Sequence, residues 1–256
     1  MAGELNGRVA LIAGGGGEIG GAIARRFAEA GAAIVVADVN REAAEAVAGE
    51  ITAAGGQAVA VRTNVAMEQD AERAVRHAVE AFSKLTTLVN VAATVTPDGT
   101  VETLTLDQWN DALTVNLTGA FLMCKYAVPQ LRNAGGGTIV NIASQLGQIG
   151  IAKRAPYTTS KAGLIQLTRC LAVDHAADGI RAVSVCPGTT RTPLVEQAIS
   201  SAADANAHEE ALASTRPAGR LGRVEEIAAA IVFCCSDDVA FMTGSEVVVD
   251  GGYTAV

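Results

Sequence analysis

Short apolar runs alternate along this chain with longer stretches in which apolar residues recur every three or four positions. The runs are Val9–Ala13, Ile34–Ala37, Ala58–Val61, Leu88–Val91, Ile139–Ile142, Ala182–Val185 and Val247–Val249, each short enough for a strand buried on both faces. The periodic stretches are Ile19–Ala30, Glu42–Ala54, Asp70–Phe82, Leu106–Leu131, Tyr157–His175 and Val224–Cys234, and they predict helices. Strands separated by helices imply parallel pairing through right-handed crossovers, hence a doubly wound α/β sheet of seven strands. No Pro/Ser-rich linker, repeat or compositional break divides the chain, so residues 1–256 are expected to form one domain. One segment breaks the alternation. Thr192–Ser214 is Ala-rich and amphipathic with no strand after it, which predicts a helical excursion over one sheet edge, either a lid or an ordinary surface helix.

Composition narrows the classes. Half of the 256 residues are apolar but only 4% are aromatic, so the core is built from Ala, Val, Ile and Leu. The net charge is −8 and no run of Lys or Arg exceeds two residues. Such a surface repels a phosphate backbone, which excludes nucleic acid and anionic membrane as expected partners. Five cysteines, odd in number and without C-x-x-C spacing, argue against a disulfide framework and against a metal site. They read as small buried hydrophobes in a reducing compartment. With no apolar stretch of membrane-spanning length either, a cytoplasmic protein is expected.

The first strand runs directly into Ala13-Gly-Gly-Gly-Gly-Glu-Ile-Gly20 and then a helix. Gly15, Gly17 and Gly20 satisfy G-x-G-x-x-G in the strand–turn–helix setting that such a loop needs. Glycines let the backbone turn sharply and approach a pyrophosphate, whose charge then rests on the helix N-terminus. Asp38 closes the second strand, 18 residues past Gly20. A carboxylate there accepts hydrogen bonds from ribose hydroxyls and repels a 2′-phosphate, which favours NAD over NADP. The competing reading makes Asp38 the N-cap of the next helix.

Tyr157 and Lys161 lie four residues apart at the start of a helix and so share a face. A free phenol, with a pKa of about 10, is a poor base near neutrality, and a neighbouring ammonium favours its ionised form. Ser144, thirteen residues before Tyr157, stands just past a strand, at the carboxyl end where open α/β sheets bind ligands.

With these residues the chain resembles the short-chain dehydrogenase/reductase family over nearly all its length. The Ser144 to Tyr157 gap, Tyr157-Thr-Thr-Ser-Lys161, Asn116 within Val-Asn-Leu-Thr-Gly, Pro187-Gly188 after a strand, and Asp250-Gly-Gly252 carry the resemblance together. It implies a Rossmann fold with strand order 3-2-1-4-5-6-7 and an NAD(H)-dependent exchange between secondary alcohol and ketone. Tyr157 is then the acid/base, Ser144 holds the substrate oxygen, Lys161 lowers the tyrosine pKa and binds the nicotinamide ribose, and Asn116 fixes the lysine through a water. The cofactor set implied is Gly14, Gly17, Glu18, Ile19, Gly20, Asp38, Asn64, Val65, Asn90, Ala92, Tyr157, Lys161, Pro187, Gly188, Thr190 and Thr192. A homotetramer is implied as well, in keeping with the wide apolar faces of Leu106–Leu131 and Tyr157–His175. The chain departs from the family pattern in four places. Ala13 replaces the loop threonine, Glu18 replaces the second glycine, Asn90-Val-Ala-Ala93 replaces N-N-A-G, and Asn64 replaces the aspartate before Val65 while keeping an acceptor oxygen.

Candidate substrate walls are Gln145, Leu146, Gln148 and Ile149 after Ser144, Thr94 and Val95 after the fourth strand, and Thr189, Leu194 and Val195 at the lid. This apolar mix with a few amides suits a small ketone or hydroxylated skeleton. Lys153 and Arg154 read either as recognition of a substrate carboxylate or as a solvated face. Two rivals remain open. A 3-oxoacyl-carrier-protein reductase could use the same fold and site, though Asp38 and the acidic surface disfavour its usual NADPH and its acidic partner. A dinucleotide-sensing protein without catalysis could use the same fold, though it has no need of a full Asn–Ser–Tyr–Lys set.

Overall fold

The computed structural model describes residues 3–256. Seven parallel strands, β1 (Val9–Ala13), β2 (Ala33–Asp38), β3 (Gln57–Arg62), β4 (Thr87–Asn90), β5 (Gly137–Ile142), β6 (Ile180–Pro187) and β7 (Glu246–Val249), pair in the order 3-2-1-4-5-6-7. This is the order expected. The registers bring Ala13 beside Ala37 and Asn90, and Asn90 beside Asn141, so the carboxyl ends of the central strands form one rim.

Side chains alternate across the sheet, as strand geometry requires. Ile12, Val36, Val89 and Val140 pack with Ile23 and Phe27 of α1 (Glu18–Glu29), with α2 (Arg41–Ala53) and with α9 (Val224–Cys235). Leu11, Val35, Leu88 and Ile139 pack with α3 (Glu68–Phe82), α5 (Gly119–Asn133) and α6 (Ala155–Asp174) on the other face. The few aromatics leave this core almost wholly aliphatic, with Phe27 its largest fully buried side chain. All five cysteines are free thiols, and no helix among the described residues is long and apolar enough to cross a membrane.

Two predicted elements differ. Leu106–Leu131 is not one regular helix: α4 (Leu106–Leu113) passes through a π-helical turn at Thr114–Thr118 before α5 begins. Apolar periodicity continues through the turn, so it left no mark on the pattern, and such bulges gather at functional sites. The excursion at Thr192–Ser214 is two helices, α7 (Pro193–Ser200) and α8 (Ala205–Ser214). Arg191 makes ion pairs with Glu196 on α7 and Glu209 on α8, holding the two together. Ile199 is the one buried residue of α7 and α8 has none, so the pair lies over the rim rather than in the core.

Candidate active site

The glycine loop is shaped by its own backbone. Gly14 and Gly15 both donate to the Ala37 carbonyl, at 2.7 and 3.0 Å, which turns the chain away from β1. Gly14 sits at φ +88°, and a Cβ there would lie 2.5 Å from the Ala92 nitrogen. A Cβ on Gly20 would lie 2.1 Å from the Gly14 oxygen. At Gly17, the residue that opens α1, the nearest atom would be 3.6 Å away. Gly14 and Gly20 are therefore demanded by the fold, whereas Gly17 faces open space at the mouth of the helix, where a phosphate is favoured.

Asp38 is not the N-cap of α2. That place belongs to Asn40, whose side chain accepts the Ala43 N–H at 3.1 Å. The Asp38 carboxylate instead accepts the Gly16 N–H at 3.0 Å and the Asn40 N–H at 2.9 Å, tying the end of β2 to the glycine loop. Along this rim runs a groove of about 840 Å³ lined by Gly14, Gly16–Gly20, Asp38, Val39, Thr63–Val65, Val91–Thr94 and the start of α7. Its size suits a large ligand, and its closed glycine turn, open helix mouth and acidic strand end fit a dinucleotide. Glu18 lies exposed at the edge of the groove, in the first turn of α1.

A second cavity of about 280 Å³ adjoins the groove through Ile19, Val91, Ala93 and Thr192. Ile142, Ala143, Ser144, Gln145, Leu146, Tyr157, Lys161, Pro187, Gly188, Thr189, Thr190 and Val195 complete its wall. Ser144 follows β5, and its Oγ accepts the Leu146 N–H at 3.1 Å, which fixes the hydroxyl and leaves its proton free to donate. Ser144 shares this wall with Tyr157, on the first turn of α6. One turn on, Lys161 is 2% exposed, with Nζ 2.8 Å from the Ile142 carbonyl and 5.7 Å from the centre of the Tyr157 ring.

Burial pushes the Tyr157 phenol above its ordinary pKa, opposed by the Ser144 hydrogen bond and by the positive charge of Arg154. Burial also pulls the Lys161 ammonium down to about 8. The Lys161 ammonium thus stands beside the ring while held by the Ile142 carbonyl, and Arg154 adds a second positive charge near the phenol.

Several predicted residues stand elsewhere than expected. The Asn116 side chain accepts the Thr94 N–H at 2.7 Å and donates to the Thr94 carbonyl and to Ser160 Oγ, both at 3.0 Å, so it holds the loop after β4 against the π turn and α6. The Asn90 side chain lies in the core, donating to Asn141 Oδ1 at 2.8 Å, and the groove is lined by Val91–Thr94 instead. Asn64 does stand on the groove wall, with its side-chain oxygen accepting the Ala66 N–H at 3.1 Å. Arg154 pairs with Asp98 at 2.8 Å, and Gln148 donates to Glu246 at 2.7 Å, outside the cavity wall, which Ile149 does not join either. Thr63, Gly16 and Ala93 line the site without having been singled out; their position beside Asn64, the loop glycines and Ala92 was the available signal. Among the described residues no group of His, Cys, Asp or Glu is arranged to hold a metal ion.

A seven-stranded doubly wound sheet with a serine, a tyrosine and a lysine at its carboxyl rim defines a nucleotide-dependent oxidoreductase fold, and the chain belongs to the short-chain dehydrogenase/reductase family. The family profile described as enoyl-(acyl carrier protein) reductase matches residues 16–254. Cyclohexanol dehydrogenase of Acinetobacter sp. strain SE19 is 40% identical over 255 residues, covering 100% of this chain and 98% of that protein. Cis-4-hydroxycyclohexanecarboxylate dehydrogenase of Sinomonas cyclohexanicum is 41% identical over 249 residues, 97% of each chain. A short-chain dehydrogenase/reductase from Burkholderia xenovorans superposes with a TM-score of 0.94 at 38% identity, over 100% of this chain and 99% of that one.

Proposed function

We propose that the protein is an NAD(H)-dependent dehydrogenase that interconverts a small cyclic secondary alcohol and its ketone, with Tyr157 as acid/base. The observation that carries this reading is that Ser144, Tyr157 and Lys161 line one cavity, which adjoins a groove edged by Asp38. The substrate class is supported by the relatives named for cyclohexane alcohols and by a cavity wall dominated by Ile19, Leu146, Val195 and other apolar residues.

A nicotinamide dinucleotide in the groove supplies the hydride acceptor or donor. The chain's own residues handle the proton and the geometry. Ser144, its oxygen already fixed by the Leu146 N–H, donates to the substrate oxygen. Tyr157 takes the proton from the alcohol or returns it to the ketone. Lys161 contributes its charge beside the ring and would hold a ribose hydroxyl of the cofactor. Asp38 accepts from the adenosine ribose. Glu18 and Asp38 are the charged residues of the groove lining, both acidic, so a 2′-phosphate meets no cation there.

Calorimetric titration with NADH and NADPH tests the cofactor, and turnover of cyclohexanol with NAD⁺ tests the reaction. Tighter NADPH binding with reduction of a 3-oxoacyl thioester would favour the anabolic reductase instead. NADH binding with no turnover of any alcohol would favour a sensor. Asp38→Ala is expected to weaken NADH binding and narrow the cofactor preference.

We also place the protein in the cytoplasm, where five free thiols suit a reducing environment. A homotetramer is proposed from exposed Leu106, Phe121 and Val173 on α4–α6 and exposed Phe241 and Val256 near the C-terminus. A monomer mass by light scattering would refute it.

A further inference from the structure

The helix that carries Tyr157 and Lys161 is not buried by apolar residues alone. Of the eight buried residues of α6, Ser160, Lys161 and Thr168 are polar. Each is bonded to a different partner outside the helix. Ser160 Oγ accepts the Asn116 amide at 3.0 Å, Lys161 Nζ donates to the Ile142 carbonyl at 2.8 Å, and Thr168 Oγ1 accepts the Asn141 amide at 2.9 Å. The first two bonds belong to the site already described. Thr168 stands seven residues beyond Lys161, about 10 Å further along the helix axis, and lines neither cavity.

Strand alternation turns the Asn141 side chain to the face of β5 that Ile139 shares with α5 and α6. Asn90, its neighbour on β4, faces the same way and donates to Asn141 Oδ1 at 2.8 Å. Asn141 in turn donates to Thr168, whose hydroxyl gives its proton to the Leu164 carbonyl at 2.7 Å. The bonds thus run in one direction from β4 through β5 into α6. Asn141 and Thr168 are fully buried in a layer that is otherwise apolar. Apolar side chains of similar volume could fill it with little change in stability. They would not supply direction, because apolar packing has none, whereas a hydrogen bond fixes distance and angle.

Direction matters because the site is divided between the two elements that this bond joins. Ser144 follows β5, three residues after Asn141, while Tyr157 and Lys161 are on α6. The bonds at Ser160 and Lys161 anchor one end of the helix and leave it able to pivot. A further anchor about two turns along fixes its axis. We propose that Asn141 and Thr168 are positioning residues of the catalytic site, their bond setting the tilt of α6 on β5 and so the placing of Tyr157 against Ser144. This rests on the dehydrogenase reading above. Neither residue lines a cavity, so loss of the bond acts on the chemical step rather than on binding. A displacement of about 1 Å there costs roughly 100-fold in rate.

The test uses the full chain with cyclohexanol and NAD⁺, and compares Thr168→Ser, which keeps the hydroxyl, with Thr168→Ala and Thr168→Val, which lack it. Thr168→Ser and Thr168→Ala lose the same methyl and differ by one oxygen, while Thr168→Val keeps the shape of threonine. Melting temperature, NADH affinity, KM and kcat are recorded for each. We expect kcat to fall at least ~10-fold in Thr168→Ala and Thr168→Val and to stay within about three-fold of wild type in Thr168→Ser. KM and NADH affinity should change less than about three-fold in all of them. Equal kcat in Thr168→Ser and Thr168→Ala overturns the proposal. A loss that follows melting temperature across the variants, or that appears in KM or NADH affinity instead of kcat, overturns it too, by making the bond one of stability or of binding. Failure of both hydroxyl-less variants to fold while Thr168→Ser folds has the same meaning. Absence of turnover in wild type would bring down the dehydrogenase reading and this one with it, whereas turnover indifferent to the hydroxyl brings down this one alone.

Discussion

Asn116 holds Thr94 at both ends of one residue, accepting its N–H at 2.7 Å and donating to its carbonyl at 3.0 Å. A side-chain amide thereby replaces a strand partner for the segment just beyond β4, which lines the groove. Asn116→Leu keeps the volume but leaves both Thr94 groups and Ser160 Oγ without this partner. The expected loss is about 2–4 kcal/mol in urea denaturation, from buried polar groups left unpaired. NADH affinity and turnover should fall together, because the loop flanks both cavities.

Tyr157→Phe removes one oxygen and little packing. Turnover of a verified alcohol should drop by at least ~100-fold, the usual contribution of a general acid–base group, while NADH affinity stays within about two-fold. Near-normal rates in this variant would end the assignment of the proton to Tyr157, because Thr158, Thr159 and Ser160 have no lysine four residues on.

Lys161 gives a stability experiment with a defined sign. Its folded pKa of about 8 lies below the ordinary 10.5, so the unfolded chain binds more protons between those values and wild-type stability rises across that window. Below about pH 8 the burial penalty is fully present, worth roughly 3 kcal/mol from the size of the shift. Lys161→Met removes it and loses the hydrogen bond to Ile142, so a net gain of about 1–2 kcal/mol is expected at pH 7. Denaturation at pH 7 and pH 10 checks this: the advantage of the variant should shrink at the higher pH. Turnover should be lost at both, a stability gain made at the expense of function.

The two glycines that border the mouth of α1 should part company. Gly20→Ala drives a methyl to 2.1 Å from a backbone oxygen and should destabilise the fold outright. Gly17→Ala meets nothing nearer than 3.6 Å and has an extended backbone that alanine tolerates. Its melting temperature should change by no more than about a degree or two, because only a weaker N-cap residue is introduced, while NADH affinity falls several-fold. Equal thermal losses in both variants would contradict the division between fold glycine and ligand glycine.

The seven strands and the shared helix face of Tyr157 and Lys161 were legible in local pattern, whereas the strand order and the meeting of that face with Ser144 followed from the family resemblance. Apolar runs mark strands, and a four-residue spacing puts Tyr157 and Lys161 on one helix face whatever the rest of the chain does. The π turn around Asn116 was not legible, because apolar periodicity runs through it and the partners of Asn116, Thr94 and Ser160, lie 22 and 44 positions away. Arg154 and Gln148 misled for a related reason: their partners, Asp98 and Glu246, are distant in the chain. A lone polar side chain looks available until the fold supplies its counterpart. Asp38 was readable as the acidic end of β2, but its hold on the Gly16 N–H was not, since that contact requires β2 and the glycine loop to be in place.

Thr192 lines both cavities and also caps α7, accepting the Val195 N–H at 3.4 Å. The cap of α7 and the seam between the two chambers are thus a single residue. A substitution that loosens the first turn of α7 at Thr192 therefore also alters a wall that both chambers share, so neither can be reshaped there without the other.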